Sequence, residues 1–470
     1  MATKFRRLAL AKGLALVIVA VLTLGACAPA ATAPPATQAP QPTTVAPTTA
    51  PQSTTAPATS APAATSAPTA ASSAGQVGLT IWQVPNSPTM QQIMDGLVKP
   101  FEQSDNVKVT NTIVPWSDLD TQWASAIQTR QTPSFGYMYD SRLPTYYRSS
   151  ALEPLDQYFT QDELSTYLTQ PLSTAMYQGH LYAIPMVLSS NALLYNKAIF
   201  QKAGITPPTD PNYSPTWEEF LGWAQKIKAA GFGSYDYGFR TIYDHPMDDF
   251  YLRFGCHETS ADHTQMTFNT PECQKAVQAW VDLSPTLSDK AKSTAWSPLD
   301  EFFAGQVGMA EGGVGTAQEL VQKYPNVDFG VMQPFHDKDY KDYLGIGYYA
   351  VFADAKNKPE VIKLLKFLVA QGQQVAFNAA IGTFPALTGT RAQMFTDATG
   401  NVKTTADVVW NELQGGQAKF LYPWPGFSQY ADQVFIPNWE SLMLGKMSPT
   451  DFINAMQTQG QAIIDANKNS

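Results

Sequence analysis

The stretch LTIWQVPNSPTMQQIMDGLVKPFEQSDNVKVTNTIVPW, residues 79–116, decides the fold. It begins with a short apolar run that is typical of a buried strand. A turn follows in which Ser87 or Thr89 can cap the next helix. The segment 90–103 then has the spacing of an amphipathic helix, with one apolar face made of Ile93, Leu97, Val98 and Phe101.

The alternation of strands and helices continues along the chain. A second strand is predicted at 107–116, a second helix at 119–130 and a third strand at 134–140. Strand, helix, strand, helix and strand in succession open a doubly wound α/β sheet. Ligands of such sheets bind outside the carboxyl ends of the strands. We therefore expect a binding site near three strand ends that pair an aromatic residue with hydrogen-bonding groups, at 82–87, 115–118 and 139–142.

The middle of the chain carries a long motif. LYAIPMVLSSNALLYNKAIFQKAGITPP, residues 181–208, is followed by TWEEFLGWAQKIKAAG, residues 216–231. The Ala-Ile-Pro strand, the Tyr-Asn-Lys-x-x-Phe-x-x-Ala-Gly helix end, the Pro-Pro pair and the Thr-Trp-x-Glu-Phe helix start resemble extracellular solute-binding protein family 1. These are the carbohydrate-binding lipoproteins of bacterial ABC importers.

Further landmarks of that family follow in order. They are EFFAGQVGMAEGG at 301–313, FGVMQPFHD at 329–337, the Gly-rich strand and long helix with a Gly-x-x-Pro ending at 345–386, and a closing helix at 442–464. The resemblance implies an α/β, two-lobed periplasmic-binding-protein fold of type II. Each lobe would be a doubly wound sheet flanked by helices, and the ligand would lie in the cleft between the lobes.

The resemblance also implies discontinuous lobes, because such chains cross between them more than once. We expect lobe I to consist of 77–187 plus 343–388, and lobe II of 188–342 plus 389–470. The three crossings would fall near 186–191, 336–343 and 386–391.

The first 76 residues are predicted to direct export and attachment. Lys4, Arg6 and Arg7 precede an apolar run that ends in small residues, as in a signal sequence at 1–26. A membrane anchor is the alternative, but the run contains Lys12 and barely reaches the ~20 residues that a span requires. Leu-Gly-Ala-Cys resembles a lipobox, which implies that Cys27 is lipidated. The Ala, Pro and Thr composition of 27–76 predicts a disordered tether.

Two cysteines remain in the folded part. Cys256 and Cys273 are expected to form a disulfide in an exported protein, although free thiols stay possible. His257 and His263 lie between them, but the order of the four residues lacks the usual C-x2-4-C and H-x3-5-H spacing of zinc sites. We expect no metal and no cofactor.

Composition argues against other classes of protein. The net charge of −9 and the absence of a Lys/Arg cluster after the signal make nucleic acid an improbable partner. An exported glycoside hydrolase needs two carboxylates that flank one bond. Asp248 and Asp249 are adjacent on a predicted helix, so their side chains diverge. No metalloprotease, nucleophile-elbow or Walker motif is present, and we expect no enzyme.

Candidate ligand-binding residues follow from the family pattern and from the chemistry of sugars, which suit aromatic rings and fixed polar groups. The family pattern implies Asn86 and Ser87 in the first strand-to-helix loop, Asp140 at the third strand end, and Ser189, Ser190 and Asn191 at the crossing. Aromatic candidates near the cleft are Trp116, Tyr139, Tyr243, Tyr348, Trp424 and Phe427. Gly313 completes the set.

Several of these assignments have alternatives. Asp140 could accept hydrogen bonds from two ligand hydroxyls while Arg142 orients it. Alternatively, it could belong to a surface ion pair or cap a helix. Many relatives carry Gly-x-Trp where this chain has Gly313-Val314-Gly315, so a stacking ring is missing there. No Lys follows these glycines, which argues against a phosphate loop. Trp424 lies among prolines and a glycine on a predicted loop and is expected to stack on the ligand in place of the missing ring.

The predicted function is capture of a sugar by hinge closure and its delivery to ABC permeases. A neutral di- or oligosaccharide is favoured, while polyols, glycerol phosphodiesters and, because of Arg142, a charged ligand remain open. The protein is expected to be a monomer, lipid-anchored at the extracytoplasmic face of the bacterial cell membrane. A solute-sensing receptor of the same fold is the alternative, since fold alone does not decide function.

Overall fold

The computed structural model describes residues 76–236, 246–291, 299–338, 342–414, 418–419, 424 and 426–467. The predicted signal sequence, Cys27 and nearly all of the predicted tether lie outside these ranges, as does Tyr243. None of the described helices is long and apolar enough to span a membrane.

The first part of the folded chain alternates strands and helices as predicted. In order, it contains β1 (Val77–Gln83), α1 (Met90–Ser104), β2 (Val107–Ile113), α2 (Leu119–Thr129) and β3 (Phe135–Tyr139). The prediction for the second strand was too long. It ends at Ile113 because Pro115 has no N–H to donate to a ladder and Trp116 begins a short 3₁₀ turn.

Helix α1 shows which part of the predicted apolar face reaches the core. Val98 and Phe101 are buried, together with Met90 and Met94, whereas Ile93 and Leu97 are only partly buried at its margin. Thr89 occupies the N-cap position without a capping hydrogen bond from its side chain. Ser87, the other predicted cap, accepts a hydrogen bond from the Thr89 backbone N–H at 3.3 Å, so its side chain binds the N-cap residue and not the first turn of the helix.

The remaining elements complete two α/β layers. In chain order they are α3 (Leu143–Arg148), α4 (Gln161–Ser165), α5 (Thr169–Thr174), β4 (Met176–Tyr177), β5 (His180–Leu181), β6 (Ile184–Ser189), β7 (Ala192–Asn196), α6 (Lys197–Lys202), α7 (Trp217–Ala229), β8 (Gly233–Asp236), α8 (Pro246–Arg253), α9 (Pro271–Leu283), α10 (Asp300–Phe303), β9 (Val307–Gly312), α11 (Val314–Lys323), β10 (Phe329–Met332), β11 (Asp342–Tyr343), β12 (Gly345–Val351), α12 (Lys358–Val369), α13 (Gln371–Ile381), α14 (Gly400–Gln414), β13 (Ala418–Lys419), α15 (Phe427–Tyr430), α16 (Ile436–Met443) and α17 (Pro449–Ala466).

Two larger sheets organise these elements. The first sheet has the strand order β2-β1-β3-β12-β6, in which β1 runs parallel to β2 and β3. Strand β12 is antiparallel to both of its neighbours, β3 and β6. The second sheet has the order β10-β7-β9-β8, with β8 parallel to β9 and the other pairs antiparallel. Both sheets are therefore mixed, and the first is assembled from distant parts of the chain.

Local sequence signals explain how helices begin on the second sheet. Thr216 caps α7 by accepting a hydrogen bond from the Glu219 backbone, and the Glu219 side chain accepts one from the Thr216 backbone. This reciprocal capping box satisfies two backbone N–H groups that a helix start otherwise leaves unpaired. The helix then buries Trp217 and Phe220 in an aromatic cluster with Phe335.

The two cysteines of the folded part are joined. Cys256 follows α8 and Cys273 lies in the first turn of α9, and their sulfur atoms form a disulfide of 1.98 Å. Both side chains are buried in the core of the second sheet. His263, which the metal alternative required, has its Nδ1 atom 2.8 Å from the hydroxyl of Thr259.

We expect the double variant Cys256→Ala/Cys273→Ala to unfold with a free energy about 3 kcal/mol lower than that of the parent protein, because the crosslink restricts the unfolded chain. Urea denaturation under oxidising conditions measures the loss. Cys27→Ser, which removes the third cysteine, is the matched control and should leave the free energy of unfolding unchanged. Equal stability of the parent protein with and without reductant would contradict the prediction.

Candidate functional site

The strand ends of the first sheet meet at one edge. β6 runs in the same direction as β3, since both are antiparallel to β12, so Gln83, Ile113, Tyr139 and Ser189 all end strands at that edge. The start of β12 lies there too, because Gly345 pairs with Ser189. Polar residues that follow these strands are thereby brought close together.

The second sheet presents its own edge to the same space. Ser190 and Asn191 alone separate β6 from β7, so the chain passes directly from one sheet to the other. Ala192 at the start of β7 pairs with Gly312 at the end of β9. The space between the two edges is called the cleft below.

A cavity of about 540 Å³ lies in the cleft beside this crossing. We call it the hinge cavity. The end of α13 and the first turns of α11 contribute to its lining. Six residues predicted from the sequence line it together: Asn86, Ser87, Ser189, Ser190, Asn191 and Gly313.

Two glycines allow α11 and α13 to touch at the hinge cavity. The Gly315 N–H donates to the carbonyl oxygen of Gly382 at 3.3 Å. Gly382 ends α13 in the left-handed region, with φ of 73°, and a Cβ there would lie 2.2 Å from the Gly315 nitrogen. Because α13 packs on β6 and α11 on β9, this contact joins elements of the two sheets.

Aromatic rings cluster at the ends of β2 and β3. The ring of Trp116 lies edge-on to those of Tyr137 and Tyr139, with centroids 5.9 and 5.8 Å away. Trp116 is 38% exposed, whereas both tyrosines are buried. The structure therefore brings the predicted residues Trp116 and Tyr139 together and leaves a free surface on the tryptophan.

A charged network supports these rings. The Tyr139 hydroxyl donates to Asp120 Oδ2 at 3.2 Å and accepts from Arg142 Nε at 3.1 Å. Arg142 also pairs with Asp120 at 3.0 Å and lies 4.0 Å from Asp432, beyond α15. Burial raises the pKa of the Tyr139 hydroxyl, so it keeps its proton at neutral pH. Burial also raises the pKa of Asp120, an effect that Arg142 opposes.

Asp140 lies at the same strand end and is 5% exposed. Its backbone N–H donates to the Ile346 carbonyl at 3.1 Å, which extends the pairing of β3 with β12. Its Oδ1 atom accepts from the Ser141 N–H at 2.8 Å. The carboxylate is thus fixed by the backbone beside the cleft.

Trp424 occupies a different environment from the one predicted. It is 4% exposed and packs in the core of the second sheet against Tyr430 and Phe427, with centroids 5.2 and 6.2 Å away. This packing in a core was not expected from the sequence, while the predicted stacking on a ligand stays a prediction. Trp424 and Phe427 line a second cavity, beside α3.

Tyr348 was also expected near the ligand. Its side chain is fully buried within the first sheet, and its hydroxyl donates to the Pro171 carbonyl at 3.3 Å and is hydrogen-bonded to Thr174. The structure shows no exposed ring face at this position. Tyr348 is a core residue, because β12 is covered on both sides.

Sequence reasoning missed a buried ion pair at the end of β9. Arg253 donates through both terminal nitrogens to Glu311, at 2.7 and 2.9 Å, and Tyr235 donates to the same carboxylate at 2.5 Å. Burial raises the pKa of the Tyr235 hydroxyl, so it remains a donor. The fork of hydrogen bonds fixes the strand end that precedes Gly312 and Gly313. Nothing in the local sequence signals a pairing over this separation.

The Gly382 contact gives a stability prediction. Gly382→Ala and Gly389→Ala both place a Cβ on a backbone with φ above 70°, but Gly389 has no atom within 4 Å of that Cβ. We expect Gly389→Ala to lower the free energy of unfolding by about 1 kcal/mol. Gly382→Ala should lower it by about 1–3 kcal/mol more, because the backbone of α11 must move. Urea denaturation compares them, and equal losses would show that the contact is not tight.

Comparison with known proteins shows the family to which the chain belongs. The family of bacterial extracellular solute-binding proteins matches residues 85–375. A binding protein of Brucella abortus is 24% identical over 407 residues, which cover 84% of this chain and 94% of the relative. The sn-glycerol-3-phosphate-binding periplasmic protein UgpB of Escherichia coli is 23% identical over 366 residues, which cover 72% of this chain and 81% of UgpB.

A solved structure of a solute-binding protein has the same fold as this chain. An ABC substrate-binding protein from Listeria monocytogenes in complex with cycloalternan aligns with a TM-score of 0.71 at 20% identity, covering 83% of this chain and 99% of that protein. The two mixed sheets flanked by helices are thus the periplasmic-binding-protein fold that the sequence predicted. The chain belongs to the family of bacterial extracellular solute-binding proteins of ABC transporters.

Proposed function

We propose that this protein captures a saccharide of two or more units in the cleft and delivers it to the permeases of an ABC importer. One observation supports the proposal: the polar strand ends of the two sheets converge on the hinge cavity, and the exposed Trp116 follows the end of β2 at the same edge of the first sheet. As a member of its family the protein binds solutes and is not an enzyme.

The chemistry of the cleft suits a sugar. A pyranose presents C–H faces that pack on an aromatic ring and hydroxyls that need fixed donors and acceptors. Trp116 supplies the ring, and Asp140, Asn86 and the Ser190–Asn191 crossing supply polar groups. The Listeria relative of the same fold is in complex with cycloalternan, which favours a saccharide for this chain. UgpB, by its name a glycerol phosphate binder, supports the competing class of ligand.

Binding would close the cleft. A ligand that contacts both sheets stabilises the arrangement in which their edges are close, and that arrangement would dock on the permeases. Within this proposal, lobe I is 77–187 plus 343–388 and lobe II is 188–342 plus 389–470. The crossing at Ser190 and Asn191 is then one hinge.

The proposal also includes attachment to the membrane. Cys27 would carry the lipid after cleavage of residues 1–26, and 27–76 would tether a monomeric binding domain to the extracytoplasmic face of the membrane. Both segments precede the described residues, so their support is the sequence pattern alone. A sensor lipoprotein of the same fold is the second candidate, and a transport assay with the reconstituted permeases separates it from an importer.

A ligand screen tests the proposed class. We expect at least one neutral or acidic di- or oligosaccharide to raise the melting temperature and to bind in calorimetry with a Kd near the micromolar range, about −8 kcal/mol. sn-Glycerol-3-phosphate, the competing probe, should not bind. Binding of glycerol phosphate without any saccharide would contradict the proposal.

Substitution of the exposed ring tests its role. Trp116→Ala should weaken binding of the saccharide found in the screen by about tenfold or more, because an aromatic contact of about 1 kcal/mol and its buried area are lost. Trp223→Ala is the matched control: its ring is partly buried beside Phe200 against the core of the second sheet, and it lines neither the hinge cavity nor the α3 cavity. Calorimetry measures both. Equal affinities of the two variants would remove Trp116 from the site.

A further inference from the structure

A second cavity of about 430 Å³ lies between α3 and the chain around Trp424. We call it the α3 cavity. Its size falls within the roughly 300–1,000 Å³ of small-molecule sites. Its lining includes Ser141, Pro144, Thr145, Arg148, Trp424 and Phe427. Among the described residues that line it there is no aspartate or glutamate.

Arg148 is the positively charged residue in the described lining of the α3 cavity. Arg148 is half-buried at the end of α3, and no carboxylate of the described residues pairs with it. Its guanidinium lies over the ring of Tyr177, with the carbon 5.7 Å from the ring centroid. The chain as a whole has a net charge of −9, whereas the described lining of this cavity carries a positive charge and no negative one.

Arg142, only six residues earlier in the chain, shows the contrast. It is held by Asp120 at 3.0 Å and by the Tyr139 hydroxyl at 3.1 Å. Its charge is therefore balanced within the protein. From the sequence, Arg142 was the residue that could bind a charged ligand. In the structure, Arg148 fits that role better, because its charge is not balanced by a carboxylate among the described residues.

Two residues that line the α3 cavity each carry a buried donor without an acceptor among the described residues. The Nε atom of Arg148 and the Nε1 atom of Trp424 are buried, and neither is hydrogen-bonded within the described part of the chain. Both groups can only donate, so what they lack is an acceptor. A buried donor without a partner costs about 1–3 kcal/mol, and such groups in native proteins call for an explanation. An oxygen-rich ligand unit supplies one.

We propose that the α3 cavity binds a carboxylate-bearing sugar unit, a hexuronate, at one end of the saccharide; this rests on the proposed function. The carboxylate would accept from Arg148, since charge-assisted bonds of this kind are about twice as strong as neutral ones. The rings of Trp424 and Phe427 and the side chain of Pro144 would pack on the sugar face. Ser141 and Thr145, which also line the cavity, would hydrogen-bond to the ring substituents.

A neutral unit would fit this cavity less well. It would separate the Arg148 guanidinium from water without supplying a negative charge, and a charge that loses its hydration needs compensation. The uronate would also link the two halves of the fold. α3 follows β3 of the first sheet, whereas Trp424 and Phe427 belong to the core of the second.

The test compares matched acidic and neutral disaccharides, namely digalacturonate with galactobiose and dimannuronate with mannobiose, by calorimetry on the full chain at pH 7. In at least one pair, the uronate should bind about tenfold tighter than its neutral partner, a difference of about 1.4 kcal/mol. Added salt should weaken binding of the uronate more than binding of the neutral sugar. Arg148→Gln should remove the preference by weakening the uronate alone, and Trp424→Phe, which keeps a ring and deletes the donor, should reduce it.

The control is Arg130→Gln, which removes an exposed arginine at the end of α2 and should keep the preference. Arg148→Lys, which restores the charge, should recover part of the preference even if Arg148→Gln loses stability. Neutral partners that bind at least as well as both uronates would overturn this inference and leave the proposed function standing. Failure of all four disaccharides would count against the inference and the proposed function together.

Discussion

The site depends on one short crossing of the chain. Ser190 and Asn191 alone separate the last strand of the first sheet from the first strand of the second. The strand directions then determine where the strands end. β1, β3 and β6 end at one edge of the first sheet, and β9 ends beside the start of β7, so these ends share one space. A longer or differently placed connection would leave two sheets with two separate edges. In this chain, the strand order and a crossing of two residues are enough to form the cleft.

Much of this arrangement could be predicted from the sequence. The strand and helix alternation at 77–139 follows from apolar periodicity, and the rule that ligands lie at strand ends indicated the loop that contains Asn86 and Ser87. The family resemblance added Ser189, and all three residues line the hinge cavity. Periodicity could not assign Tyr348, because a strand covered on both faces has no polar side to mark its orientation. The burial of Trp424 could not be predicted, because a segment rich in proline and glycine resembles an exposed loop.

The charges illustrate what a sequence cannot give. Asp120, Tyr139 and Arg142 are close along the chain, yet their mutual pairing, and the pairing of Arg253 with Glu311, depends on side-chain geometry. The same geometry balances Arg142 at the start of α3 and leaves Arg148 at the end of that helix without a carboxylate among the described residues. In the proposed uronate site, specificity would rest on which charges the fold balances internally, and the ligand would supply the negative charge that Arg148 lacks. Gly315 and Gly382 likewise owe their importance to a contact between distant segments.

Small-angle X-ray scattering tests the central claim, that a ligand between the two sheet edges draws the halves of the fold together. Residues 76–470 would be measured with and without a saturating saccharide identified by calorimetry. The account predicts a smaller radius of gyration in the presence of ligand, since a ligand that contacts both sheets favours the closed arrangement. An unchanged radius of gyration under conditions where calorimetry shows full occupancy would contradict it.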